Sequence, residues 1–348
     1  MTAHEHAAAT ADRSERHEHA TVPWTPVTVF IIVSFGLAWL VTLPLYLQDS
    51  QESGYASLFS ILTVAMMFTP ALGTLVVVFL LRTPRVGRMR FLGIWPLRPA
   101  KRVVSFTAAM LLLPALLVAA GLAMAAGFGW LHLDLQNFSG YQQLIEGQGG
   151  ELGSAASAMP PAEVLALIQI VSIPLIGLIN VLTLAILGEE IAWRGWLLPA
   201  LRPLGIWPAL LLSGMLWGLW HAPIILLGYN FDRTDVWGVL LMTVGCVIWG
   251  ILFGWLRLRT GSLWPAVVAH GVFNAAGSTL LVTLPAADHS PNMALVNPLG
   301  VSGWIVAGLV VLVLLVVGQF AREPDLAAKR AKPAQGQSPA QVTPSGGE

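Results

Sequence analysis

Charge is what this sequence has least of. Asp, Glu, Lys and Arg make up 10% of the 348 residues, whereas a soluble domain carries roughly a quarter. Hydrophobic residues fill 56% of the chain, and the mean hydropathy is +0.73. That balance excludes an ordinary water-soluble globule and implies an all-α polytopic membrane protein. Cysteine occurs once, as Cys246. A lone cysteine excludes an intrachain disulfide and a multi-cysteine metal site, and its apolar surroundings read as packing. There is no P-loop, no dinucleotide fingerprint and no internal repeat. Basic and acidic residues balance at 18 each, so neither excess nor pattern points to nucleic acid. No cleavable signal peptide is expected, because the first apolar run lies behind a long polar tail.

What remains is a succession of apolar runs. Eight lie near 27–47, 57–81, 103–130, 164–188, 205–228, 236–256, 262–284 and 301–320, each about long enough for a ~30 Å hydrocarbon core. Residues 1–25 and 321–348 are polar, and both read as disordered tails. The histidine pairs His4/His6 and His17/His19 read as part of a solvated tail. The intervening chain divides into a first part over 26–162, a polar-residue core over 163–285 and a last span over 286–320. The stretch 131–162 reads as a loop with a short amphipathic piece. Basic residues orient the runs. If the connection 82–102 is cytoplasmic, both termini are cytoplasmic too. Of the 18 basic residues, Arg233 alone then lies outside. The outer loops carry Asp49, Glu52, Asp134, Glu146, Glu151, Asp232, Asp235 and Asp288. The expectation is about eight transmembrane helices in the plasma (inner) membrane. Gly214/Gly218 and Gly250/Gly254 are small-xxx-small pairs suited to close helix packing.

Three of the runs carry polar residues that packing does not explain, since intramembrane charge is costly and by default functional. The first ends in Gly188-Glu189-Glu190-Ile191-Ala192-Trp193-Arg194. Glu190 and Arg194 are four apart and share a helix face, so they can pair. Glu189 is turned about 100° away and is left as a free carboxylate suited to general-base work. The second is Trp217-Gly218-Leu219-Trp220-His221-Ala222-Pro223, with Trp217 and His221 on one face and Pro223 loosening the helix beyond them. The third starts at Thr260-Gly261-Ser262-Leu263-Trp264-Pro265, a helix-start pattern, and carries His270 and Asn274 four apart. Glu189 and His221 fall ~20 Å or more apart in depth if each run is a straight span. The helix bearing Glu189 must therefore continue past Arg194 inside the protein, or the next helix must be strongly tilted. A cavity open to the cytoplasmic side is expected.

In this order, Glu189-Glu190-x-x-x-Arg194, aromatic-x-x-x-His221 and His270-x-x-x-Asn274 resemble the CAAX-protease and bacteriocin-processing (CPBP, Abi) family, which includes the type II prenyl-protein CAAX proteases. The flanks Arg194-Gly195-Trp196-Leu197-Leu198-Pro199 and Thr260–Pro265 resemble it as well. The likeness covers roughly residues 165–285. It departs at Trp217, where the family usually has Phe. The resemblance implies an intramembrane endopeptidase acting near the cytoplasmic membrane face. By it, Glu189 would activate water, His221 would help hold that water, and His270 and Asn274 would stabilise the oxyanion. Glu190 and Arg194 would be the supporting ion pair, with Trp217 beside them. The implied partner is a peptide or protein substrate, membrane-anchored or prenylated in some members, in the lipid bilayer. No cofactor is favoured. Zinc is the alternative, since members have been labelled metalloproteases and Glu189, His221 and His270 form a zinc-type ligand set. Two rivals of other classes are a transporter lined by buried charge and a non-catalytic bacteriocin-immunity protein on the same fold.

Overall fold

The computed structural model describes residues 21–152, 159–182 and 185–320. Both predicted tails, with their histidine pairs, lie largely outside those residues. Every apolar run becomes helix, and the described residues contain no β-strand beyond one isolated bridge, Leu133 with Pro285. The principal helices are α1 (Trp24–Leu47), α2 (Tyr55–Leu80), α3 (Ala100–Gly127), α4 (Ala162–Val171), α5 (Ile173–Leu182), α6 (Ala185–Glu190), α7 (Ile206–Trp220), α8 (Val236–Thr260), α9 (Trp264–Thr283) and α10 (Val301–Val316). Among the described residues six helices are long and apolar enough to cross a membrane, α10 counting with its preceding turn from Met293. The α4–α5 pair adds a seventh if taken as one span, bent by 59°. The fifth apolar run gives only the 15-residue α7. The expected eight runs are thus present as helix, but two of them are not straight full-length spans.

Large apolar side chains cover the outside of the bundle. Leu47, Val171, Leu182 and Val316 are each more than three-quarters exposed, an arrangement stable in lipid and not in water. This is a multi-pass membrane protein. Four tryptophans, Trp193, Trp196, Trp220 and Trp249, are fully buried in its core. Three of them donate their indole N–H inward: Trp196 to Thr83 O at 2.8 Å, Trp220 to Thr69 Oγ1 at 3.1 Å and Trp249 to Pro298 O at 2.9 Å. Buried indoles need such partners where no water can supply them.

The bundle has two chemically different ends. At one, the arginine-rich connection 82–102 packs on the α8–α9 turn: Leu263 N donates to Gly93 O at 2.8 Å and Trp264 Nε1 to Ile94 O at 3.1 Å. Gly261, at φ 68°, ends α8 in the left-handed conformation, which glycine adopts without strain. The helix start expected at Thr260–Ser262 is therefore also the stop of α8. At the other end lie the 128–139, 228–235 and 284–300 segments, joined by Asp134 N to Leu284 O and Asn297 Nδ2 to Asn230 O. A helix, Ser139–Leu152, supplies the short piece expected in the 131–162 stretch. Here the backbone N–H of Asn137 and the Ser139 side chain hold the Asp134 carboxyl down at about 2. Arg233 holds the Asp235 carboxyl below the usual carboxylate range, and Asp235 caps α8 through Gly238 N.

Glycine permits the contacts that set helix spacing. A Cβ at Gly214 would fall 2.7 Å from Val247 Cα, and one at Gly218 closer still to Thr243 Cα, so α7 and α8 touch backbone to backbone as the small-xxx-small pairs predict. A second close approach is between α5 and α9. A Cβ at Gly177 would fall 2.8 Å from Val272 Cα. Gly214→Val should lower the melting temperature in detergent by the equivalent of about 1–3 kcal/mol. Gly308→Ala, with nothing within 4 Å of the added carbon, should leave it unchanged. Equal melting of the two variants would show that the α7–α8 approach is not structurally required.

Candidate active site

The helix carrying the two glutamates does not end at Arg194. α6 passes at Glu190 into a π-helical turn, Ile191–Leu197, then a short helix, Leu198–Leu201. Residues Ala192–Leu201 are buried throughout. The chain thus continues past Arg194 within the protein, the first of the two geometries expected from the run lengths. A π turn inserted in an α-helix adds a residue and widens the helix locally, a distortion frequent at functional sites.

The Glu190–Arg194 pair forms as expected, with Arg194 Nη1 donating to Glu190 Oε1 at 2.7 Å. The two are 0% and 2% exposed. That burial requires the pairing, because an isolated charge here would cost several kcal/mol or more. The same Oε1 lies 2.9 Å from His270 Nδ1. A carboxylate only accepts, so Nδ1 carries the proton and Nε2 is turned away from Glu190. Arg194 also lies over the Trp217 ring, 4.1 Å from its centroid, and 5.2 Å from that of Phe253. Indole faces are good hosts for a desolvated cation.

Glu189 is separate from this network. It is 2% exposed and, among the described residues, forms no ion pair and accepts one hydrogen bond, from Trp217 Nε1 at 2.9 Å. This is the chemistry that the indole adds over the family's phenylalanine. The sequence marks Trp217 as an aromatic, but its N–H partner is visible only in three dimensions. Trp217 also stands edge-on to both histidines, with centroids 6.0 Å from His221 and 5.3 Å from His270. His221 caps the C-terminal end of α7 and its Nδ1 is bonded to Trp217 O at 2.9 Å. A carbonyl only accepts, so this ring too has its Nε2 uncommitted. Asn274 is one turn beyond His270 on α9 and is exposed.

The structure brings all seven predicted residues together, drawn from the π-bearing helix, α7 and α9. Glu189, Trp217, His221, His270 and Asn274 line one cavity of about 510 Å³. Glu190 and Arg194 sit behind it. Tyr229, Asn230 and Asn297 also line the cavity; they lie in connections without a motif, so no local pattern marks them. Among the described residues, no group of three or more His, Cys, Asp or Glu is placed so that it could hold a metal ion. The cavity lies away from the arginine-rich connection. None of its lining residues comes from 82–102, 191–205 or 257–264. The rest come from the far half of α9, the 229–232 turn and the 293–299 segment, with Met67 of α2, Asn180 of α5 and Met242 of α8. The reason is packing: the arginine-rich connection and the α8–α9 turn seal the near end through Leu263, Trp264 and the buried Arg257.

The fold and site thus define a multi-pass helical membrane protein with a carboxylate–imidazole–amide centre on three helices. Residues 171–276 match the model of the family described as Type II CAAX prenyl endopeptidase Rce1-like. CAAX prenyl protease 2 of Methanococcus maripaludis is 29% identical over 108 residues, 29% of this chain and 40% of that protein. The chain thus spans about two-fifths of the length of that curated relative. No solved structure matches the chain. By both sequence matches the site-bearing segment is similar to the CAAX protease family.

Arg194→Met should destabilise the protein by about 3–5 kcal/mol, because it leaves Glu190 buried without its cation. Double replacement with Glu190→Gln should recover part of that loss. Thermal unfolding in detergent checks this, and a single variant as stable as the parent would show that the pair is not structural.

Proposed function

We propose that this protein is an intramembrane endopeptidase in which Glu189 activates water. The observation that carries the reading is the isolation of Glu189. Among the described residues its carboxylate forms no ion pair, is held by one indole N–H and faces a cavity with His221, His270 and Asn274. Peptide hydrolysis needs a base, donors for the developing oxyanion and a proton for the leaving amine. Glu189 takes a proton from water as the water oxygen bonds to the scissile carbonyl carbon. The carbonyl oxygen becomes the oxyanion, held by the Asn274 amide and by His270. Glu190 accepts from His270 Nδ1 and so fixes the ring; a His270 carrying a second proton would donate it from Nε2. The C–N bond breaks as the proton on Glu189 passes to the amine nitrogen. His221, its Nδ1 fixed on the backbone, helps hold the water.

The proposed mechanism uses no metal. In the zinc alternative, Glu189, His221 and His270 would have to converge on one ion, and the placement of these residues does not favour it. The substrate is a peptide delivered at the bilayer, prenylated or otherwise anchored, as the names of the family and of the archaeal relative suggest. Phe273, Leu281 and Met242 give the cavity apolar surface to match. The setting proposed is the plasma (inner) membrane, with both termini cytoplasmic.

The test is cleavage of fluorogenic peptides, prenylated and unprenylated, by purified protein. Glu189→Gln should lower kcat by about 10²–10⁴-fold. Asn274→Ala should lower it by about 10²–10³-fold with KM little changed. Chelator should have no effect. Normal cleavage by Glu189→Gln would refute the glutamate mechanism, and loss of activity with chelator would move the reading to zinc.

A further inference from the structure

The connection that leaves α2 and runs into α3 is basic throughout. No Asp or Glu occurs anywhere between Glu52 and Asp134, while arginine recurs at 82, 85, 88, 90, 98 and 102. α2 and α3 are each long and apolar enough to span a membrane, so the chain that joins them lies at a membrane surface, whichever of the two surfaces it is. Within it the structure forms a shallow hollow of about 390 Å³, away from the candidate active site. Arg85, Arg88, Arg90 and Trp95 line it, and among the described residues its lining holds no acid. Gly87, at φ 64°, makes the turn that leads into the short helix Arg88–Phe91 and so gathers arginines from both sides of itself around one hollow.

Two features tie the hollow to lipid. The Arg88 guanidinium lies 5.2 Å from the centroid of the Phe79 ring. Phe79 and Leu80, at the end of α2, are both more than half exposed on the outside of the bundle, so this cation stands beside the lipid-facing surface of a spanning helix. Among the described residues Arg88 Nε has no hydrogen-bond partner, so the protein leaves the guanidinium fork only partly engaged. Around the hollow, Val86, Met89 and Trp95 are likewise each more than half exposed. Apolar and indole side chains interleaved with arginine suit the boundary between headgroups and acyl chains, where tryptophan is favoured and arginine extends its charged end to the polar layer. Basic connections also orient helices as they insert, but that role needs charge alone, with neither a hollow nor an apolar rim.

We propose that this hollow binds the phosphate of an anionic phospholipid. Arg88 is the central ligand, since a guanidinium fork matches two phosphate oxygens at once. Arg85 and Arg90 add positive charge, and Val86, Met89 and Trp95 rest against the acyl chains. The same connection packs on the α8–α9 turn through Gly93 and Ile94, so a bound lipid braces the start of the helix that carries His270 and Asn274. The binding does not depend on the endopeptidase reading.

The test is thermal unfolding of the purified full-length chain in a neutral detergent, titrated with phosphatidylglycerol, phosphatidylcholine or inorganic phosphate. Phosphatidylglycerol should raise the melting temperature, and the other two should leave it near its starting value. Arg88→Gln should demand about tenfold more phosphatidylglycerol for the same rise. Arg88→Lys should recover only part of that loss, because an ammonium keeps the charge without the fork. Arg98→Gln, a change in the same connection outside the hollow's lining, should titrate like the parent. Should Arg88→Gln not fold, Arg85→Gln serves in its place. Equal rises with phosphatidylglycerol and phosphatidylcholine would overturn the proposal, as would equal losses in Arg88→Gln and Arg98→Gln, which mark diffuse surface charge. A rise with inorganic phosphate equal to that with phosphatidylglycerol would overturn the lipid assignment in favour of a free anion. Each outcome is read from stability, so it stands whether or not the protein cleaves a peptide.

Discussion

Glu190 Oε1 accepts from Arg194 on its own helix and from His270 on α9, and nearly everything distinctive about the structure follows from keeping that oxygen buried. A carboxylate, a guanidinium and an imidazole are each unfavourable in an apolar interior, and together they are tolerable only at hydrogen-bonding distance. The cluster therefore fixes the π-bearing helix against α9 without a covalent link. Trp217 closes the third side. Its ring covers the Arg194 cation while its N–H reaches Glu189. One residue thus belongs both to the structural ion pair and to the free carboxylate.

Such a cluster demands that three helices approach closely, and glycine makes this feasible. Gly214 and Gly218 let α7 lie on α8, and Gly177 and Gly271 let α5 lie on α9. With no side chain between them, the backbones bring Trp217 and His270 within ring contact. The bend between α4 and α5 and the π turn after Glu190 then place the glutamates in the bundle interior, not at the end of a straight span.

The same packing decides access. The turn that starts α9 is covered by the arginine-rich connection, so the polar face of α9 can meet solvent only further along the helix. The arginine-rich connection therefore sits at the end of the bundle away from the cavity.

Local pattern determined a good deal here. Low charge and eight apolar runs established a helical membrane protein, because a chain in lipid must satisfy its backbone within each segment. Spacing of four placed Glu190 with Arg194 and His270 with Asn274, and turned Glu189 to another face, because 3.6 residues per turn leave no other arrangement on a helix. The glycine pairs announced the α7–α8 contact. Tertiary structure alone decided how these faces meet. That His270 bonds Glu190, that the indole of Trp217 holds Glu189, and that Gly177 lies against α9 are contacts between residues up to about ninety positions apart, which no periodicity encodes. Nor could run lengths foretell a cavity lying away from the arginine-rich connection. That depends on which end of the bundle the loops cover, and loop packing follows individual hydrogen bonds such as Leu263 to Gly93, not hydropathy.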